Sequence, residues 1–461
     1  MSELYQQSAS DVVAKLKTAK VSIQEALDAL QSRINAVDKN INSLPTLCFD
    51  RAAQKAKQLQ NLPVEQRGKL CGLPVTIKDL TDVEGVRSTM GSVVFKDNIP
   101  EKSNQLVQRI EHNGGVVYAK SNTPEFGAGG ITFNDVFGIT RSPHNTALSS
   151  GGSSGGAAAS LAAGCAWLSH GSDMAGSLRT PASFCGVSSL RPSPGSIRSD
   201  SKFLPFDVLG EEGPMARNIT DLALFADVMR TENTNAMQNA VQQSEKTDLS
   251  SLRIAVSTNL GITAVSDEIA SLFTNFIDDK LKSCKHISES HPDLSGVHEA
   301  FDVLRANVFA TGLESILDKN RTIIKPEVVW NAELGIAQTS QQIRSALRLQ
   351  AKIVNDGAQF MHDTDVLICP ATSIASVAAD VRYPEEPEGL AIPEYYRWLA
   401  VAYATTMTTL PVITLPVATA ENGMPIAVQL VGKPWGEAAL FKIAYKIEQI
   451  VGRNNAPVDP R

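Results

Sequence analysis

Residues 147–164 read ALSSGGSSGGAAASLAAG: eight consecutive Ser and Gly residues, Ser149 to Gly156, run straight into an Ala/Leu stretch. Alone, such a cluster has the composition of a flexible linker, because glycine leaves the backbone unrestrained. The continuation GAAASLAAGCAWL (156–168) contradicts that reading. It carries no charge and one hydroxyl, so as a helix it is stable only when packed on all sides. A chain whose most flexible-looking stretch opens its most apolar helix must pack tightly there. The run therefore predicts an internal turn rather than a domain boundary.

Periodicity elsewhere supplies both kinds of element. Two amphipathic helices are predicted over 9–38. The first carries Val12, Val13 and Leu16 at helical spacing, with Ser10 or Asp11 as N-cap. In the second, Ser22 and Glu25 stand in capping-box register ahead of Ala26, Leu27, Leu30 and Ile34. CGLPVTIKDL (71–80) reads as a short buried strand ending on Lys78, and GGVVYAKSNT (114–123) repeats the pattern after a helix closed by HNGG. DVLICPAT (365–372), PVITLPVA (411–418) and PIAVQLVG (425–432) are three more β-rich runs, whereas 217–362 is mainly helical in pattern. Interleaved strands and helices imply an α/β fold, its sheet covered on both faces. With no internal repeat and no low-complexity linker, residues 1–461 read as one domain.

Several function classes are disfavoured by composition. A net charge of −7 argues against nucleic acid or an anionic membrane as partner. The N-terminus lacks the apolar core of a signal peptide, and no apolar run reaches 18 residues, so no spanning helix is expected and the expected compartment is cytoplasmic. Glu385, Glu386 and Glu388 around Pro387 read as a solvated loop. Six cysteines (Cys48, Cys71, Cys165, Cys185, Cys284 and Cys369) are scattered and never spaced as CxxC, which indicates neither a disulfide framework nor a zinc site. No metal and no cofactor are expected.

The Ser/Gly run also has chemical readings. A phosphate-binding Walker loop needs Gly-Lys-Ser/Thr, and Gly156 is followed by Ala157. Gly151 to Gly155 satisfies GxSxG, but a nucleophile elbow must follow a core strand, and SPHNTALS (142–149) does not read as one. The seven histidines form no recognisable motif. Downstream, HGSDMAGSLRTPASFCG (170–186) places a second serine, Ser177, in another small-residue turn. Such turns leave backbone N–H groups unblocked, as an oxyanion hole requires. Two serines in two such turns, with one lysine at a strand end, suggest a hydrolase whose base is lysine rather than histidine.

Together these motifs closely resemble the amidase signature family of serine hydrolases. GGSSGGAAASLAAG and GSDMAGSLRTPASFCGVSSLRPS carry the resemblance most strongly. GLPVTIKDL, SNTPEFGAGGITFNDVFGITRSPHN, GPMARNITDLALFADVM (213–229) and LPVITLPVATAENGMPIAVQLVGKPW (410–435) extend it in order over nearly the whole chain. It implies a large twisted mixed β-sheet core covered by α-helices on both faces. Within that single amidase domain it implies N-terminal helices (about 9–38), a signature core (about 70–230), a helical substrate-pocket region (about 231–362) and C-terminal strands and helices (363–461). It implies a Ser–cis-Ser–Lys triad in which Ser177 is the nucleophile, Ser153 the proton relay and Lys78 the base; Ser177 follows Ser153 by 24 positions. The backbone N–H groups of Met174, Ala175, Gly176 and Ser177 would form the oxyanion hole, and Gly127 would line the cleft. Arg179 and Ser154 would be structural supports, and Asp173 a buttress of the oxyanion turn.

The implied activity is hydrolysis of a carboxylic amide to acid plus amine or ammonia through an acyl-enzyme. The substrate would be a small-molecule amide, and a homodimer is compatible with the resemblance. One branch of the family supplies the transamidating component of glutamyl-tRNA amidotransferase, but its DQIGP-like block is replaced here by EEGPMARN. A stand-alone amidase is therefore favoured over an A-type amidotransferase component working in a complex. It is also favoured over a non-catalytic amidase-like binding protein, which would have lost a triad position. AGSLRTPAS points weakly to a bulky or cyclic amide with an apolar acyl group. Met174 and Ala175 replace a common glycine and alter pocket shape; His144, where tryptophan is common, acquires no role. Trp330, Phe301 and Phe309 read as core rather than pocket.

Overall fold

Alternation along the strands sets the architecture. In Val366–Pro370, Val366 and Ile368 join one hydrophobic core while Leu367 and Cys369 join another. Ile254 and Ala255 divide in the same way, as do Ile413 and Val412, and Leu430 and Val431. Side chains alternate across a strand, so a sheet with apolar residues on both faces must be covered on both. The N-terminal helices and helix Glu437–Val451 cover one face; the segment Tyr395–Leu410 and the long helices Val297–Asn320 and Ser340–Phe360 cover the other. The structure is a computed structural model that describes residues 3–200, 204, 206–384 and 394–461. The acidic stretch Glu385–Glu388 lies outside the described residues.

Eleven strands form the large sheet among the described residues. Their order is Thr46–Leu47, Val116–Ser121, Pro74–Lys78, Leu168–Asp173, Glu211–Ala216, Ser188–Arg191, Val412–Thr419, Pro425–Val431, Val366–Pro370, Arg253–Val256 and His286–Glu289. Pro74–Lys78 is parallel to both its neighbours, as is Arg253–Val256, and the remaining pairings are antiparallel. The sheet is mixed, as expected.

Six of these strands have no counterpart in the sequence reading, the two-residue Thr46–Leu47 among them. Leu168–Asp173 and Glu211–Ala216 carry little apolar signal because their polar groups are satisfied inside the protein. Ser169 Oγ lies 2.5 Å from Thr76 Oγ1, and His170 Nε2 lies 2.8 Å from Glu212. Ser188–Arg191 is short and polar. Arg253–Val256 and His286–Glu289 interrupt the region read as mainly helical.

The N-terminal helices are Ala9–Lys17 and Ile23–Ile41, the second with the predicted capping box. The first is capped by Ser8, not by Ser10 or Asp11. Ser10 is displaced into the helix because the amides of Ala9 and Ser10 both donate to the carboxylate of Asp221, each at 2.8 Å. A distant carboxylate does there what a local cap would do.

The Ser/Gly run is buried throughout, and the helix that it opens is Gly155–Ala162, shorter than its apolar continuation suggested. Leu168 already belongs to a strand. Before the run, Asn145–Ser149 is a strand after all, but it lies outside the large sheet, in a two-stranded ribbon with Arg141–Ser142 and an isolated bridge from Leu148 to Ala378. Ser153 therefore does not follow a core strand, and the elbow geometry is absent. Gly156 shows why small residues are required: a Cβ there would sit 2.3 Å from the Asn122 amide nitrogen and 2.5 Å from the Ser43 carbonyl oxygen.

Gly→Ala inside an open helix raises stability by up to about 1 kcal/mol. At Gly156 the sign reverses, because the new methyl meets backbone that cannot swing aside. Gly156→Ala is expected to lower stability by about 1–3 kcal/mol, the usual cost of overpacking, read as a fall in the urea midpoint. A midpoint unchanged or raised would contradict the close packing at this turn.

Candidate active site

Pro74–Lys78 is buried along its whole length, and Lys78 is fully buried. Alternation sends the neighbouring Asp79 the other way, where its carboxylate accepts from Lys120 Nζ at 3.1 Å and from Thr89 Oγ1 at 2.5 Å. Lys78 is left among hydroxyls. Its Nζ lies 2.7 Å from Ser153 Oγ, 2.8 Å from Ser154 Oγ and 3.0 Å from Ser172 Oγ, with the Ser172 carbonyl at 3.4 Å. Among the described residues it forms no ion pair. Burial without a counter-charge pulls its pKa from the usual lysine value to about 7, against an opposing pull from the more distant carboxylates of Glu212 and Asp173.

Ser153 reaches Lys78 from the Ser/Gly turn, and the Gly152–Ser153 peptide is cis. Ser177 stands on the turn between strand Leu168–Asp173 and helix Arg179–Cys185. The Asp173 carboxylate organises that turn, accepting from the amides of Gly176 and Leu178, both at 2.9 Å, and from Arg179 at 2.7 and 3.0 Å. Burial pushes the Asp173 carboxyl up, but the Arg179 charge and hydrogen bonds, with Arg191 behind them, outweigh it and hold the group well below the usual carboxylate range. Ser154 N donates to Ser177 O at 3.1 Å and ties the two turns together.

Lys78 thus meets Ser153 directly, and Ser177 lines the same cleft as Ser153, but no hydrogen bond joins the hydroxyls of Ser153 and Ser177 among the described residues. Ser153, Ser177, Met174, Ala175 and Gly127 line one cleft. Gly127 has φ +70, and a Cβ there would stand 3.5 Å from Ser153 Oγ. Gly176 departs from expectation. Its amide is taken by Asp173, which leaves the amides of Met174, Ala175 and Ser177 without a partner among the described residues.

The other walls of the cleft carry residues that the sequence did not single out. Leu80, Met90 and Phe126 lie near Gly127; Asp207 comes from the segment leading into strand Glu211–Ala216, and Glu211 and Glu212 open that strand. Tyr396 and Leu399 come from the C-terminal part. The helical region contributes Arg305, Val308 and Phe309, all from helix Val297–Asn320. Phe309 is buried in a hydrophobic cluster, as read, and also lines the cleft. Phe301 is core, stacked on Tyr403 at 4.2 Å, and Trp330 is partly exposed with its ring against Tyr395. No pattern marks these positions in sequence, because the fold alone brings them together.

The histidines play structural parts. His170 Nδ1 lies 3.3 Å from the Lys78 amide and its Nε2 faces Glu212. His144 Nε2 lies 3.0 Å from the Cys185 carbonyl oxygen, and burial lowers its pKa to about 4. Among the described residues no group of three or more His, Cys, Asp or Glu side chains is placed to hold a metal ion. No helix among them is long and apolar enough to cross a membrane.

The family model described as Amidase matches residues 25–441. An acylamidase of Rhodococcus erythropolis is 29% identical over 96% of this chain and 95% of its own length. The A-type component of the glutamyl-tRNA(Gln) amidotransferase of Oleidesulfovibrio alaskensis is 27% identical over 98% of this chain and 99% of its own length. In fold, the chain is similar to a bacterial aryl acylamidase of the amidase signature enzymes, with a TM-score of 0.88 over 96% of both chains at 22% identity.

Asp173 and Arg179 are both fully shielded, so removing one strands the charge of the other. Asp173→Ala is expected to cost about 3–5 kcal/mol of stability, measured by urea denaturation. A loss below about 1 kcal/mol would show that the turn is held by something else.

Proposed function

The chain belongs to the Amidase family, and from that membership we propose that it hydrolyses a carboxylic amide through a serine acyl-enzyme. The observation that carries the reading is the buried Lys78 amine, 2.7 Å from Ser153 Oγ and free of any ion pair among the described residues. As a base this amine acts in its neutral form. Ser154 Oγ donates to the Ser172 carbonyl at 3.2 Å, so toward Lys78 it acts as acceptor. Two Nζ hydrogens then go to Ser154 and Ser172, and the lone pair faces the Ser153 hydroxyl.

In the proposed sequence Ser177 Oγ turns toward Ser153 as substrate binds, since such contacts often tighten only in the complex. Ser177 passes its proton to Ser153, whose own proton passes to Lys78, while Ser177 Oγ bonds to the amide carbon. The open amides of Met174, Ala175 and Ser177 receive the oxyanion. The relay returns the proton to the leaving nitrogen as the C–N bond breaks. Water attacks the ester by the same route and releases the acid.

A second reading is favoured by the A-type amidotransferase components among the relatives, one of which matches over 99% of its own length. On that reading the same site would release ammonia inside a complex. Turnover of simple amides by the purified chain supports the stand-alone reading; activity appearing only with added partner proteins supports the second.

Ser177→Ala and Lys78→Ala are each expected to lower amide hydrolysis by about 1000-fold or more with circular dichroism unchanged. A fluorophosphonate should leave its mass on the peptide containing Ser177. Wild-type turnover by Ser177→Ala would remove the nucleophile assignment.

Only neutral Lys78 can accept the proton, so activity is lost on the acid side. Log kcat/KM should fall with unit slope below pH about 7 and level off above it. A profile flat from pH 5 to 8 would remove lysine as the base.

A further inference from the structure

Arg305 is the cleft-lining charge that the proposed chemistry leaves unused. It is 4% exposed and lies on the same helix as Val308 and Phe309. Its guanidinium sits over the rings of Tyr396, Phe309 and Tyr395, with centroids at 4.2, 4.8 and 5.3 Å. One Nη donates to Asn331 Oδ1 and the other to the Tyr395 hydroxyl. Both partners are neutral, and Asn331 Nδ2 in turn donates to Tyr395 Oη at 2.6 Å, so the holder is itself tied down.

A guanidinium has five N–H donors. Two are engaged, leaving Nε–H and one hydrogen on each Nη without a protein partner among the described residues. Arg305 itself lines the cleft, and its Nε forms no hydrogen bond among the described residues. No carboxylate among the described residues forms an ion pair with Arg305. The acidic residues of the cleft are otherwise engaged: Asp173 with Arg179, and Glu212 with His170, while Asp207 and Glu211 act on Arg191. Aromatic faces offset part of the cost of burying a cation. A planar fork with free donors and no counter-ion is the arrangement that binds a carboxylate with two hydrogen bonds.

We propose that the cleft takes amides bearing a second, ionised carboxylate, which pairs with Arg305 while Ser177 meets the amide. The proposal rests on the amide-hydrolase reading and departs from the bulky or cyclic amide with an apolar acyl group that the sequence suggested. Arg305 would be a specificity-determining residue, remote from the bonds that form and break.

The test compares matched substrates: ω-carboxyacyl anilides from succinyl to suberyl against alkanoyl anilides of equal length, and N-acyl ω-amino acids against N-acyl alkylamines. In at least one series the wild type should favour the carboxylate by about tenfold or more in kcat/KM. In Arg305→Met the ratio should collapse to near one; Arg305→Gln, neutral but still able to hydrogen-bond, serves if the methionine variant does not fold. A ratio near one in every wild-type series overturns the proposal, as does a preference that survives in the variant. The ratio is insensitive to a general loss of activity. Calorimetric titration with glutarate and pentanoate separates the two readings. Glutarate binding that depends on Arg305, with no amide turned over, would sink the hydrolase reading and keep this one. Turnover of neutral and charged amides alike would do the reverse.

Discussion

The ion pair between Asp173 and Arg179 is the joint on which the site depends. Asp173 ends a central strand, and its two oxygens collect the amides of Gly176 and Leu178. Arg179 opens the next helix and reaches across to the Ala402 carbonyl, Thr405, Thr406 and Gln429, at 2.5–2.7 Å. One buried pair thus shapes the turn carrying Ser177 and pins it to the helix Ala400–Met407 and the strand Pro425–Val431. Two buried charges are tolerable only because nearly every donor and acceptor finds a partner. The same requirement leaves the turn little freedom, as a site that must hold one serine in place needs.

Two neighbouring lysines show how the sheet sorts charge. Lys78 and Lys120 lie on adjacent parallel strands, both fully buried. Lys120 faces Asp79 and Ser88, so its charge is matched. Lys78 faces three serine hydroxyls, and no carboxylate among the described residues forms an ion pair with it. Residue type is the same; strand alternation decides which lysine meets the carboxylate. Chemistry follows from that choice, because an unmatched buried amine gives up its proton far more readily.

Legibility varied with the range of the interaction. The capping box at Ser22 and Glu25 is local, and it forms as read. At the first helix, competition from Asp221, more than 200 residues away, moved the cap to Ser8. Apolar strands such as Pro425–Val431 announced themselves. Leu168–Asp173 did not, since its serines and histidine are satisfied by partners from other strands. Of the four amides that the resemblance assigned to an oxyanion hole, the one at Gly176 is taken by a side chain three residues away whose direction no periodicity reveals.

By itself the sequence determined an α/β chain, the small-residue turn at Gly151–Gly156, and the three residues Lys78, Ser153 and Ser177 set apart by their motifs. Those are properties of residue size and spacing, which survive without coordinates. Strand alternation already turned Asp79 away from Lys78; only the tertiary structure decided that Lys78 meets three serine hydroxyls, that Gly176 spends its amide on Asp173, and that Arg305 enters the cleft with no counter-ion among the described residues. Each of these depends on which groups from distant segments share a buried space. Inside a protein an unpaired charge or donor is costly enough that its neighbours define what it can do.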